Sequence, residues 1–165
     1  MLFEAINLVL VLGDKLPEHM RKDTVELLAK FISSCNNPNI KYLALESLSK
    51  LTTVCLGAAQ EANIIKNNLQ TFLSNLRESD ISIRKQALNT LFCLCDNEVA
   101  AEVINELLDH MQENNDYELM EEMVLKVAIL AEKFAPNLSW YIDVIIKLIE
   151  YAGDYVDEDL WFRVA

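Results

Sequence analysis

The chain has 165 residues, 52% hydrophobic and 24% charged, with 26 acidic against 14 basic side chains and a formal net charge of −12. That length suits one domain with its own core, and the apolar content excludes a disordered chain. Only three glycines and three prolines are present, which argues against hairpin-rich sandwiches, barrels and glycine-lined phosphate loops, while the acid excess repels nucleic-acid backbones and anionic lipid headgroups.

The prolines and glycines fall between apolar-periodic segments, so each segment reads as a helix. The first, Leu2–Leu12, stops at Gly13. It contains Glu4 and Asn7 and lacks a basic leader and a small-residue cleavage site, so it reads as a mostly buried helix rather than a secretory signal. The second, about Glu18–Ser34, places Val25, Leu28, Ala29 and Ile32 on one stripe and ends at Cys35-Asn36-Asn37. Pro38 then stands where a first-turn proline belongs. A third helix is expected from Asn39 to about Val54, closing near Gly57, and a fourth over about Ala62–Leu76, with Ile65, Leu69, Phe72, Leu73 and Leu76 at helical spacing. Ser79 or Asp80 is placed to cap a fifth, Ile81–Leu94, and Asn97 precedes a sixth, Val99–Met111. Asn115 or Asp116 is placed to cap a seventh, Tyr117–Phe134. Pro136 and Asn137 separate it from an eighth, Leu138–Tyr151, ending at Gly153; a ninth begins after Asp157 and is still running at Ala165. No stretch alternates apolar and polar residues as a strand would. The expected class is all-α.

Alternate helices repeat one another. Ile40, Ala44, Leu45, Leu48 and Leu51 correspond to Ile83, Ala87, Leu88, Leu91 and Leu94, and again to Leu119, Met123, Val124, Val127 and Leu130. A partial fourth copy starts at Leu160, giving register steps of 43, 36 and 41 residues. These steps lie around the roughly 40–47 residues of a HEAT or armadillo helix pair. One face repeated in this way predicts a right-handed α-solenoid of about four helix pairs, open at both ends, forming a single helical-repeat segment over 1–165 without a linker. No pair can bury that face alone, so stacking supplies the stability. Ends without polar capping repeats are expected to be adhesive, and the break inside a helix at Val164-Ala165 reads as a segment of a longer chain.

The sequence offers little for catalysis. His19 and His110 have no metal-ligand spacing and read as surface or helix-end residues. Cys35, Cys55, Cys93 and Cys95 contain no C-x-x-C pair. Cys93 and Cys95 point about 200° apart on a helix, so all four read as buried, inert thiols of a reducing compartment. Glu121-Glu122 is an ordinary pair among many acids. The run Asp154–Asp159 has a calcium-like acid density but lacks the central glycine and closing glutamate of a calcium loop, and suits a helix N-terminus instead. Arg21-Lys22 and Arg84-Lys85 are isolated basic pairs, too few for a nucleic-acid footprint. The expectation is a non-enzyme with no catalytic, cofactor-binding or metal-binding residue, no cofactor and no nucleic-acid partner, and with no partner-binding residue assigned.

The stretch Met123–Ala135, followed by Trp140-Tyr141-Ile142-Asp143, Ala152-Gly153-Asp154-Tyr155-Val156 and Leu160-Trp161-Phe162-Arg163-Val164, resembles the trunk of the alpha-adaptin family, large subunits of the plasma-membrane clathrin adaptor complex. Leu2–Ile6, Tyr42–Leu48, Asp80–Arg84 and Leu94-Cys95-Asp96 extend the likeness along the chain, while Gly13–Thr24 departs from it. Gamma-type adaptins share Glu132–Pro136 and remain the alternative, with an unrelated HEAT or armadillo scaffold behind them. The resemblance implies a middle-to-late trunk segment, a scaffold assembling with a beta-type large chain, a medium chain and a small chain in clathrin-mediated endocytosis. It implies a location on the cytosolic face of the plasma membrane at coated pits. Contacts with clathrin, cargo and phosphoinositide would lie in other parts of the complex, and no ligand residue carries over.

Overall fold

A computed structural model describes residues 2–12, 15, 17–54, 69–113 and 117–156. Their elements are α1 (Leu2–Leu12), α2 (Glu18–Ser34), α3 (Pro38–Val54), α4 (Leu69–Ser74), α5 (Ile81–Leu94), α6 (Ala100–Glu113), α7 (Tyr117–Phe134) and α8 (Leu138–Ala152), with 3-10 turns at Asn75–Arg77 and Gly153–Tyr155. No strand occurs among the described residues, and the all-α expectation holds. The parts of the expected fourth and ninth helices at 62–68 and 157–165 lie outside the described residues, as do Gly13, Gly57, Asn115 and Asp116.

The chain divides into two compact units, Met1–Leu94 and Cys95–Ala165. In the first, α2 and α3 are joined by three residues and pack together, as antiparallel neighbours do. Here α3 also packs against α1 and α5, and α2 against α4, so helices of alternate order stack in two rows. In the second unit α7 packs against α6 and α8, and α6 meets α8 in turn. Each unit thus contains the helix-pair stacking expected of a helical repeat.

The repeated face lies in the cores. Ala44, Leu45, Leu48 and Leu51 are buried on α3, and Ile83, Ala87, Leu88 and Leu91 on α5. On α7 the equivalents Leu119, Met123, Val124, Val127 and Leu130 are buried as well. Ile40 and Leu94, at opposite ends of the pattern, are half-buried. Each fully buried Leu, Ile, Val or Met side chain among these contributes about 1.5–3 kcal/mol relative to exposure. Between α3 and α5 the buried Thr90 hydroxyl donates to the Leu45 carbonyl at 3.2 Å and to the Gln86 carbonyl at 2.8 Å. Such a tie needs a side chain small enough to let the two backbones approach.

Helix starts follow from short polar side chains that satisfy first-turn N–H groups. The Asn37 side chain accepts from the Asn39 amide at 3.0 Å, and Pro38 opens α3, where a missing N–H costs nothing. Of the two candidates for α5, Asp80 is the cap, accepting from the Ser82 amide at 2.8 Å. For α6 the cap is Asp96 rather than Asn97. Its carboxylate accepts from the Glu98 and Val99 amides at 2.9 and 3.1 Å, so 97–99 form a turn and the helix begins at Ala100. On α8 the Asn137 side chain accepts from the Trp140 amide at 2.8 Å.

The expectation for α1 needs correction. Among the described side chains of α1 only Ile6 is fully buried, and Val11 is 82% exposed. The helix touches α2 and α3 along one edge, with Phe3 meeting Phe31 at a ring separation of 6.0 Å, so a largely apolar sequence leaves one side uncovered. The eighth helix ends at Gly153 as expected, but that residue is not in a left-handed conformation. Its φ is −57°, and a Cβ there would meet Ile149 Cγ2 at an ordinary 3.9 Å. The helix instead tightens into a 3-10 turn.

Candidate interaction surfaces

The residues weighed for chemistry are dispersed by the fold. His19 is exposed on α2. His110, expected at the surface or at a helix end, lies in the last turn of α6 and is only 4% exposed. It lies seven residues beyond Val103 and three beyond Leu107, on the buried stripe, a periodicity that outweighs its position near a helix end. Glu122 pairs with Lys126 one turn along α7 at 2.7 Å, while Glu121 faces solvent. Asp154 is exposed in its 3-10 turn, and the rest of that acidic run, Asp157–Asp159, lies outside the described residues. No group of three His, Cys, Asp or Glu among the described residues is spaced to hold a metal ion.

Cys35, Cys93 and Cys95 are free thiols, half-buried rather than fully buried as expected; Cys55 lies outside the described residues. The helix ends holding Cys35 and Cys95 do not close completely over their side chains. Burial, reinforced by the neighbouring Asp96 carboxylate and opposed by Lys133, nevertheless pushes the Cys95 thiol up to about 12. At neutral pH it is protonated and therefore a poor nucleophile. The basic pairs are not patches. Arg84 spends a guanidinium nitrogen on the Glu78 and Ser79 carbonyls at 3.0 and 3.1 Å, holding the turn before α5, and Lys41 forms an ion pair with Glu78 in the same corner.

What the first unit does present is an open groove of about 450 Å³ along the first turns of α3 and α5. Pro38, Asn39 and Tyr42 line it from α3, and Ser82, Lys85, Gln86 and Asn89 from α5, over buried Ile83. Its lining is dominated by carboxamides and hydroxyls. The N–H groups of both helix starts are partly occupied by Asn37 and Asp80. The polar stripe Ser82-Gln86-Asn89, at helical spacing on α5, was the available sequence signal and is easily missed beside the apolar repeat. In the second unit α8 carries an apolar stripe on its solvent side: Leu138, Ile142 and Ile146, one turn apart, are 72%, 46% and 57% exposed.

A buried face repeated at helix-pair spacing is the signature of a helical-repeat fold. The family model described as the adaptin N-terminal region matches residues 1–165. The chain belongs to that family. It is 44% identical to the AP-2 complex subunit alpha-1 of Arabidopsis thaliana over 99% of its length, covering 15% of that relative. It is 45% identical to the AP-2 complex subunit alpha-2 of Dictyostelium discoideum, again over 99% of its length and 16% of the relative. Identity to the AP-1 complex subunit gamma-2 of Arabidopsis thaliana is 32% over 86% of this chain and 16% of that one. The adaptin chain thus spans about a sixth of the length of these relatives, and its likeness to the alpha subunits exceeds that to the gamma subunit. No helix among its described residues is long and apolar enough to cross a membrane.

Proposed function

We propose that this chain is a middle-to-late trunk segment of an alpha-type adaptor large subunit, acting as a scaffold for adaptor-complex assembly in clathrin-mediated endocytosis. The observation that carries the reading is the end-to-end match to the adaptin family, with the higher identity to alpha subunits. The buried repeat supports it physically. A stack of helix pairs offers long, rigid edges for other chains and needs no reactive group. The segment is proposed as one helical-repeat stretch whose partners are a beta-type large chain, a medium chain and a small chain. Contacts with clathrin, cargo and phosphoinositide belong to other parts of the complex, which works on the cytosolic face of the plasma membrane at coated pits. The acid excess of this segment suits a part that does not itself bind anionic lipid.

The test is co-expression of the full trunk with small, medium and beta-type chains, followed by affinity purification through the large chain. All four chains are expected in stoichiometric amounts. A properly folded trunk that purifies alone overturns the reading. The gamma-type alternative, favoured by Pro136 in the motif Glu132–Pro136, predicts that gamma-type partner chains outcompete alpha-type ones in the same purification.

A further inference from the structure

We propose that the apolar stripe on the solvent side of α8 docks a basic amphipathic helix of a partner protein. The stripe lies wholly in the second unit, and its chemistry does not depend on which complex the chain serves. Its place in the stack, its shape and its charge point to this occupant.

Stacking does not account for the stripe. Leu138, Ile142 and Ile146 are exposed at successive turns, and half-buried Ile149 continues the line. In the 41-residue register the first three correspond to Asn97, Ala101 and Asn105. All three counterparts are exposed although α8 packs against α6. A helix stacked next to α8 in the same row therefore leaves this side of α8 open too. At these solvated positions α6 carries small or polar side chains, whereas α8 carries three large aliphatic ones in line, which marks a contact surface.

A ridge of this kind suits a helix. The backbone groups in the middle of α8 are bonded within the helix. The face thus offers nothing to the N–H and C=O groups of an extended partner, which would be buried unpaired. A helical partner satisfies its own backbone and packs its apolar ridge beside that of α8. From Leu138 to Ile149 the stripe runs about 17 Å along the axis, room for about three turns of a partner helix.

The charge selects a basic helix. The second unit holds 17 acidic and four basic side chains, against nine and ten in the first. Acids edge the stripe itself. At about 100° per residue, exposed Glu150 and Asp143 follow Ile146 round the helix, and exposed Lys147 lies beyond them. On α6 the counterparts of these three are Asp109, Glu102 and Glu106, so the row carries five acids to one lysine. The lysines of α7 are engaged elsewhere, Lys126 by Glu122 and Lys133 over the Phe134 ring. Apolar residues flanked by Lys or Arg make the complementary surface. An anionic membrane is repelled. A second copy meets the stripe with the same acids, so self-contact is weak and driven by concentration.

The experiment uses the full large chain. Its probe is a fluorescent model helix of about five turns, with leucines at the spacing of the stripe and lysines on both flanks. Anisotropy is expected to show saturable binding, and a photo-reactive group among the leucines is expected to label 138–150. Replacing the lysines of the probe by glutamate is expected to weaken binding about tenfold or more. Ile142→Ala with Ile146→Asn, which gives α8 the surface of α6, is expected to weaken it about tenfold. Asp143→Asn with Glu150→Gln is expected to weaken it about threefold at low salt. Absence of saturable binding, labelling outside 138–150, or equal binding of the lysine and glutamate probes overturns the proposal. So does binding indifferent to the isoleucine pair, which leaves only adsorption of a basic probe on an acidic chain. Light scattering tests the second copy: a dimer that persists at submicromolar concentration and is lost in the isoleucine double variant makes the stripe an interface between copies, and overturns the proposal as well.

Discussion

Helices α5 and α7 bury the same repeated face, yet they differ on its flank. Thr90 of α5 stands where α7 carries Lys126. The threonine is buried against the backbone of α3, to which it donates a hydrogen bond. Lys126 curls back along its own helix to Glu122. The aliphatic positions set which face enters a core, and they are interchangeable between copies as Leu, Val or Met. The flanking position sets how closely a neighbouring helix backbone can approach. A repeat protein therefore keeps its face while varying what that face is placed against.

The sharpest way to break this comparison is to attack what the two helices share. Leu88→Ala removes a fully buried side chain from the first unit and is expected to cost about 2–5 kcal/mol, read from the midpoint of urea unfolding. A loss below about 1 kcal/mol would mean that the face is not the source of stability. The flanks should then separate the two helices. Thr90→Val keeps shape and volume but removes the donor to Leu45, whose carbonyl also serves its own helix, so about 0.5–1.5 kcal/mol is expected. Lys126→Met breaks a same-helix pair and is expected to change stability by less than about 1 kcal/mol. Equal losses at the two positions would erase the distinction.

The shared face was legible in the sequence because burial imposes a period. Ala44, Leu45, Leu48 and Leu51 recur in α5 and α7 at fixed offsets, and all but the end positions Ile40 and Leu94 are buried in the structure. The starts of α3 and α8 were legible too, from Asn-Pro and Pro-Asn. Caps with two neighbouring candidates were less so. Asp96 and Asn97 both have a suitable side-chain oxygen, and one residue of backbone geometry decides between them. The exposure of α1 was hidden for a different reason. An apolar run states what a helix could bury and is silent on what lies beside it. The groove was missed because polar flanks read as solvated surface, and only the side-by-side placement of α3 and α5 makes one lining of two helix edges.

Cys95 sharpens the contrast at the end of α5. Its thiol is pushed from 9.0 up to about 12 chiefly by burial, so the folded chain favours the protonated form. The corresponding stability is fully present below the unfolded value near 9.0 and is lost as pH rises toward 12. Cys95→Ala should flatten the alkaline limb of the stability profile over that interval. Iodoacetamide labelling at pH 8, followed peptide by peptide, should be slow at Cys95 in the folded chain and fast in denaturant. Rapid labelling of folded Cys95 would contradict the burial that raises its pKa.

The smallest expected stability effect comes from α6 and α8, which share a buried stripe and differ on the side facing solvent. In the 41-residue register Val103, Ile104, Leu107 and Met111 correspond to Val144, Ile145, Leu148 and Ala152, all buried. Ala101 and Asn105 of α6 correspond to Ile142 and Ile146 of α8, and all four are exposed. Making α8 resemble α6 by Ile142→Ala with Ile146→Asn touches no buried contact, so stability should stay within about 0.5 kcal/mol. Association should respond more than stability does. Exposed apolar side chains one turn apart promote contact between molecules, so the molar mass by light scattering should rise with concentration for the unsubstituted chain and stay flat for the double variant. A unit destabilised by more than about 1 kcal/mol would show that the stripe supports its own fold. An unsubstituted chain that stays monomeric over a wide concentration range would show that three isolated turns of apolar surface are too narrow to adhere.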